Sequence, residues 1–183
     1  KFIEQIRLIN FDYYQTMLEK TTSEEVVLLD IGEKSLELGG QWPWPRSQIA
    51  QLISDLRSSN AGLIGLTMMF PEPDRFGQDA ILKSWLDENG IVLSQVPSSR
   101  GRTGVAPYVG TAVLGNGDPY NFAYEYSGIV TNIPELEQSA AGVGMINAAP
   151  EVDGIVRRIP LISQINKQIY PALPMEMVRV MSD

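Results

Sequence analysis

Residues 61–96 read AGLIGLTMMFPEPDRFGQDAILKSWLDENGIVLSQV, and this stretch decides the fold. It opens on an unbroken apolar run that Pro71 and Pro73 stop. Proline has no N–H to give a sheet ladder, so a strand ends there. Ile81, Leu82, Trp85 and Leu86 then recur at helical spacing, and Asn89-Gly90 supplies the turn that closes a helix. A second apolar run, IVLSQV, follows and stops at Pro97. Apolar runs of this length, bounded by turn residues and separated by a helix, fit strands buried on both faces of a parallel sheet.

Working outward, the pattern repeats upstream. Val26 to Leu29 in VVLLDIG predicts an earlier strand ending at Asp30, and Ile49, Leu52, Ile53 and Leu56 predict a helix closed by Asn60 and Gly62. Residues 26–96 thus read strand, helix, strand, helix, strand, which implies right-handed crossovers. Downstream, residues 98–140 are rich in Gly, Ser, Pro, Tyr and Asn and predict loops and short strands. AAGVGMIN predicts a strand, with Gly142 and Gly144 permitting close backbone approach. VDGIVRRIPLISQINKQIY predicts hairpin structure, with turns at Asp153-Gly154 and at Asn166-Lys167-Gln168. The expected fold is α/β: a parallel-to-mixed central sheet with helices packed on its faces and an antiparallel hairpin near the C-terminus. A single domain over residues 1–183 is expected, with linking helices at 1–20 and 174–183. Phe2, Ile6, Ile9, Tyr13 and Met17 form one apolar stripe on the first helix, and Met177, Val178 and Met181 are expected to face inward on the last.

Composition narrows the function. The 183 residues carry a net charge of −8, against binding to nucleic acid or an anionic membrane surface. There is no cysteine, hence no disulfide, thiolate metal site or thiol nucleophile. There is no histidine either, which removes the usual general base, the commonest zinc ligand and the near-neutral pH switch. No phosphate loop or dinucleotide fingerprint occurs. No apolar run approaches the length of a membrane span, and the chain, starting at Lys1, reads as a piece of something longer.

Three constellations stand out. In GGQWPWPRSQIAQLI, residues 39–53, Trp42 and Trp44 each precede a proline and are held extended, and Pro45 presets a helix start. Arg46 then sits where the helix dipole opposes a cation and calls for an anion, for which Asp30 is a candidate. Either the tryptophans fill core and Arg46 pairs with Asp30, or Trp44 and Arg46 line a pocket at the carboxyl ends of the strands, where open α/β sheets bind ligands. Glu72, Asp74 and Asp79 form an acidic group whose spacing matches no EF-hand, and Asp74 or Asp79 is better placed to cap the next helix. In EVDGIVRR, adjacent strand residues point oppositely, so at most one of Arg157 and Arg158 faces a pocket.

Taken together, VVLLDIG, WPWPR, IAQLISDL, AGLIGL, MFPEPD, GMINAAPEVDGIVRRIPLI and YPALPMEMVR, in that order, resemble the CHASE type 2 domain from Phe11 to Arg179. That family is an extracytoplasmic sensory module of bacterial signalling proteins. Asp30, Trp44, Pro45, Arg46, Phe70, Asp74, Asn147, Asp153, Gly154, Arg157 and Pro160 match its pattern, while Thr67 stands where the family often has aspartate. The resemblance implies a domain that senses and does not catalyse, tied by membrane segments outside this chain to a cytoplasmic cyclase, histidine kinase or serine/threonine kinase. The expected ligand-contacting residues are Asp30, Trp44, Arg46, Asp153 and Arg157. The partner is a small-molecule or protein signal, acting across a homodimer, with no cofactor, metal or nucleic acid. A ligand-free dimerisation module and a hydrolase using paired carboxylates are the rival readings.

Overall fold

The structure is a computed structural model. It describes residues 2–19, 21, 23–86, 90–102, 107, 108, 110, 111, 114, 117–148 and 150–182. The expected helix signal at Asn89 lies outside the described residues. The chain divides into two compact units: Lys1–Trp42 with Ala149–Arg158, and Pro43–Ala148 with Ile159–Asp183.

The larger unit carries the α/β fold. Its helices are α3 (Arg46–Ser58), α4 (Asp79–Leu86), α5 (Pro134–Glu137) and α6 (Leu173–Ser182). Its strands are β1 (Ile64–Leu66), β2 (Ile91–Arg102), β3 (Tyr124–Tyr126), β4 (Ile129–Val130), β5 (Gly142–Met145), β6 (Ile162–Ile165) and β7 (Gln168–Pro171). β2 organises the main sheet: it pairs in parallel with β1 and β5 and antiparallel with β4. The expected parallel-to-mixed sheet is therefore present. A second sheet has the order β3-β6-β7, with β6 and β7 forming the expected antiparallel hairpin. Its two-residue loop puts Asn166 at φ 51° and Lys167 at φ 59°, the doubly left-handed backbone that matches strand twist.

The core follows from the periodicities. Ile49 and Ile53 of α3 and Leu82 and Leu86 of α4 pack with Ile64, Leu66, Ile91, Leu93 and Val143 of the sheet. α3 closes as its sequence implies: Asn60 takes φ 65°, and the Ala61 N–H donates to the Leu56 carbonyl at 3.0 Å. β5 buries every residue. The backbone of Leu173 lies where a side chain on Gly144 would sit, so the expected close approach is realised.

The smaller unit departs from expectation. Val26 to Leu29 form no strand; Leu28 is 92 % exposed. An apolar run becomes a strand only when a neighbour takes its ladder hydrogen bonds, and among the described residues none does. A short helix, α2 (Glu33–Gly39), follows. The first helix, α1 (Phe2–Met17), exists, but its apolar stripe is not core. Phe2, Ile6, Ile9, Tyr13 and Met17 are exposed, and Leu8, off the stripe, is buried. Charge holds this helix instead, as shown below. Asp153-Gly154 makes a turn, with Gly154 at φ 82°, but residues 155–160 form no ladder. On α6 the inward face is displaced in part: Met177 faces inward as expected, its thioether against Gly65 of β1. Val178 and Met181 are exposed, whereas Leu173 and Glu176 are buried, because the helix approaches β5 through its first turn.

Candidate functional site

Arg46 is the first residue of α3, with Pro45 as a cap that offers no side-chain acceptor. The missing acceptors come from the 72–79 segment. The Arg46 Nε donates to Asp79 Oδ1 at 3.0 Å and Nη2 donates to the Glu72 carbonyl at 2.9 Å. The Ser47 N–H donates to Gln78 Oε1 at 3.2 Å. The guanidinium lies 4.4 Å from the centre of the Phe70 ring. Asp79 also accepts from the Asp74 N–H at 2.8 Å, and Asp74 accepts from the Gln78 N–H at 3.1 Å. Both donors precede α4, so these bonds shape the 74–79 turn leading into the helix, and they make neither aspartate the expected side-chain cap of its first turn. The expected anion for Arg46 was Asp30; the structure gives that role to Asp79. Asp30 is exposed in the smaller unit. Trp44 packs partly against the main core, while Trp42 is 43 % exposed and not core. Thr67 is exposed just beyond β1.

Asp153 and Arg157 do come together, with a third residue absent from the expected set. The Arg157 side chain is only 4 % exposed. Its Nε and Nη2 donate to Asp12 at 2.6 and 2.7 Å, and its Nη1 and Nη2 donate to Asp153 at 2.9 and 2.7 Å. One planar fork thus grips two carboxylates, a geometry that lysine cannot supply. Arg158 pairs with Glu151 at 3.0 Å and lies over the Phe11 ring. The two adjacent arginines thus have separate carboxylate partners, while both reach α1, at Asp12 and Phe11.

The clamp shifts its acids. Hydrogen bonding from Arg157 holds Asp153 down at about 2, against an ordinary 3.8, and lowers Asp12 as well. The bonds to Asp12 and Asp153 raise Arg157 in turn. A folded pKa below the unfolded one gives stability that is present above pH 3.8 and is lost as pH falls through 2. The difference in melting temperature between the wild type and Asp153→Asn is therefore expected to be full at pH 5 and to close progressively from pH 4 towards pH 2. Thermal melts across that range check it. A general acid requires the opposite shift.

Two further features were not visible in the sequence reading. Glu176, 1 % exposed, accepts from Arg179 at 3.0 and 2.9 Å, and Arg179 also donates to the Ala141 carbonyl at 3.1 Å. Gly142 leaves the room that Glu176 fills. The second feature is Gln95. It follows Leu93 on the core-facing row of β2, and β5 sets Met145 beside it. It is 3 % exposed, and its Nε2 has no hydrogen-bond partner. Leaving such a donor unmade costs about 1–3 kcal/mol. The signal available was a polar residue at period two from Leu93 in an apolar strand.

Gln95 lines a cleft of about 360 Å³ together with Tyr108, Pro134, Glu137, Gln138 and Val143. The Tyr108 hydroxyl donates to the Ala140 carbonyl, and desolvation raises its pKa. A second, more open cleft of about 620 Å³ is lined by Ser98, Ser99, Glu125, Tyr126 and Asn166, among others. None of Asp30, Trp44, Arg46, Asp153 and Arg157 lines either cleft. Among the described residues no cluster of three or more His, Cys, Asp or Glu side chains is placed to hold a metal ion. No helix among them is long and apolar enough to cross a membrane.

No curated protein and no solved structure matches the chain. The family model of the CHASE2 domain matches residues 1–183. The ordered motifs and the mixed α/β sheet accord with that match, and the chain belongs to the CHASE2 domain family, a family of extracellular sensory domains of signalling proteins.

Proposed function

We propose that this chain is the extracytoplasmic sensory domain of a membrane-anchored bacterial signalling protein, working as a dimer and relaying its signal to a cytoplasmic cyclase or kinase. The family match supports the sensory role. The observation that carries the relay is how the terminal helices are fixed. Each has a charged tie to its own unit beside its apolar contacts. α1 is held through Asp12 on Arg157, and α6 through Glu176 with Arg179 on the Ala141 carbonyl. Hydrogen-bonded charge pairs are either made or broken, whereas an apolar seam can slide. A signal that favours one arrangement therefore displaces a helix in a discrete step. Asp30, Trp44, Arg46, Asp153 and Arg157 enter this proposal as groups through which a signal acts. The exposed stripe of α1 supports pairing with a second copy.

The test uses the full protein. A reporter enzyme active only outside the cytoplasm, joined after Ser182, is expected to be active, and a cytoplasm-only reporter silent; the reverse overturns the location. Asp12→Asn and Arg157→Lys, which weaken the clamp while keeping size, are expected to change basal output at least several-fold. Unchanged output in both variants overturns the relay.

A further inference from the structure

We propose that the cleft beneath α5 binds a small, uncharged, polyhydroxylated molecule of monosaccharide size, with Gln95 as its central contact. Three observations point there. The first is the cleft itself, about 360 Å³, within the range of small-molecule sites. Its wall is formed by Gln95 of β2 and Val143 of β5, with Pro134 and Glu137 of α5 opposite them. The second is the Gln95 amide. It is buried, lines the cleft, and has a nitrogen without a partner. A buried donor left unsatisfied at a cavity wall is free to meet a group from outside the chain. The third is the rest of the lining. Pro134, Val143 and the Tyr108 ring give apolar surface, and Gln138 and Glu137 give polar atoms at the rim.

This lining selects by charge. Among the described residues no cation lines the cleft, and Glu137 repels an anion. An ammonium group has no lone pair with which to accept from the buried Gln95 nitrogen. A hydroxyl both donates and accepts, so one ring of hydroxyls can accept from Gln95, donate to Glu137 and exchange bonds with Gln138. Its C–H face can meanwhile cover the Tyr108 ring. The binding claim stands on the cleft alone; its regulatory meaning rests on the sensory reading.

The experiment is saturation-transfer NMR and thermal shift on the 183-residue chain, using D-glucose and D-galactose as probes, with D-glucuronate and nicotinamide alongside. A neutral pyranose is expected to saturate and to raise the melting temperature in a concentration-dependent way. Gln95→Leu is expected to weaken it at least tenfold, and Gln138→Ala, a surface change that leaves the fold intact, severalfold. Gln95→Leu removes an orphaned polar group, so the variant is expected to melt no lower than the wild type without sugar. Binding of glucuronate or nicotinamide but of neither pyranose overturns the ligand class. Pyranose binding undiminished in both variants overturns the site, as does the absence of any binding. Gln95-dependent binding that leaves the output of the full protein unmoved overturns the sensory reading and leaves the site standing.

Discussion

Gly144→Ala lowers the stability of the larger unit by about 3 kcal/mol or more, the upper range for forcing atoms into a packed core. For a chain of this length that is roughly 6–12 °C in melting temperature. The reason is the identity of the obstructing atoms. A Cβ on Gly144 meets the Leu173 Cα, comes within 2.8 Å of the Leu173 nitrogen, and lies 3.1 Å from the Ala172 carbonyl carbon. All three are backbone, at the point where α6 begins and where Met145 bridges to Ala172. Nothing can rotate away, so α6 must lift from β5 or the strand must bend. Gly65→Ala is the control. Its Cβ meets the Met177 thioether, the free end of a flexible side chain. That variant is expected to stay within about 1 kcal/mol of the wild type, since a repacked methionine and the backbone entropy gained from alanine offset each other. Thermal and urea unfolding of the two variants in parallel measures the contrast. Equal melting temperatures would show that α6 does not rest on β5 in this way.

Phe70→Ala is the second large effect, about 3–5 kcal/mol. Phe70 is buried and central to four interactions. Its ring fills the main core and its face carries the Arg46 guanidinium. Its N–H donates to Asn132 Oδ1 at 2.9 Å and its carbonyl accepts from the Ile133 N–H at 2.8 Å. The alanine variant leaves a cavity and removes the surface on which Arg46 lies. Phe70→Leu keeps most of the volume and is expected to cost about 1.5 kcal/mol. A double-mutant cycle of Phe70→Leu with Arg46→Ala separates the two contributions, with a coupling of about 1 kcal/mol expected for a cation over a largely desolvated ring. Additivity within experimental error would show that the stacked guanidinium contributes nothing and that Phe70 acts as core alone.

What the sequence disclosed, and what it hid, divides along physical lines. The order of elements in residues 61–96 was legible because prolines and glycines punctuate their apolar runs, but the expected strand ends were not: β1 stops at Leu66, short of Pro71, and β2 runs through Pro97 to Arg102, pairing Pro97 with Ile129. The hairpin at Asn166-Lys167 was legible for the same reason. Val26 to Leu29 carry the same local signal but meet no ladder, and a run of four apolar residues does not say whether a neighbour waits. The α1 stripe misled for a related reason. A helical moment locates an apolar face but not what covers it, and α1 is held by Asp12 on its other side. The charged partners were the least legible. Arg46 was correctly read as wanting an anion, yet which carboxylate arrives depends on how the 72–79 segment folds over α3. Glu176 and Gln95 look like ordinary surface residues in sequence, and only the closeness of Gly142 and the row set by Leu93 bury them.

The clamp also says something about how the chain is made. Asp12 and Arg157 stand 145 residues apart, and the smaller unit is assembled from the first 42 residues and a ten-residue return, Ala149–Arg158. At 5–20 residues per second, α1 leaves the ribosome roughly 7–30 s before the arginine that will hold it. Throughout that interval Phe2, Ile3, Ile6 and Ile9, followed by Val26 to Leu29, have no clamp to fix them. The order of synthesis therefore runs against the order of closure: α1 is made long before it is secured. The main sheet, from Ile64 to Met145, is translated before Arg157 is reached. The exposed apolar face of α1 thus waits for its fastener while the main sheet of the larger unit is made.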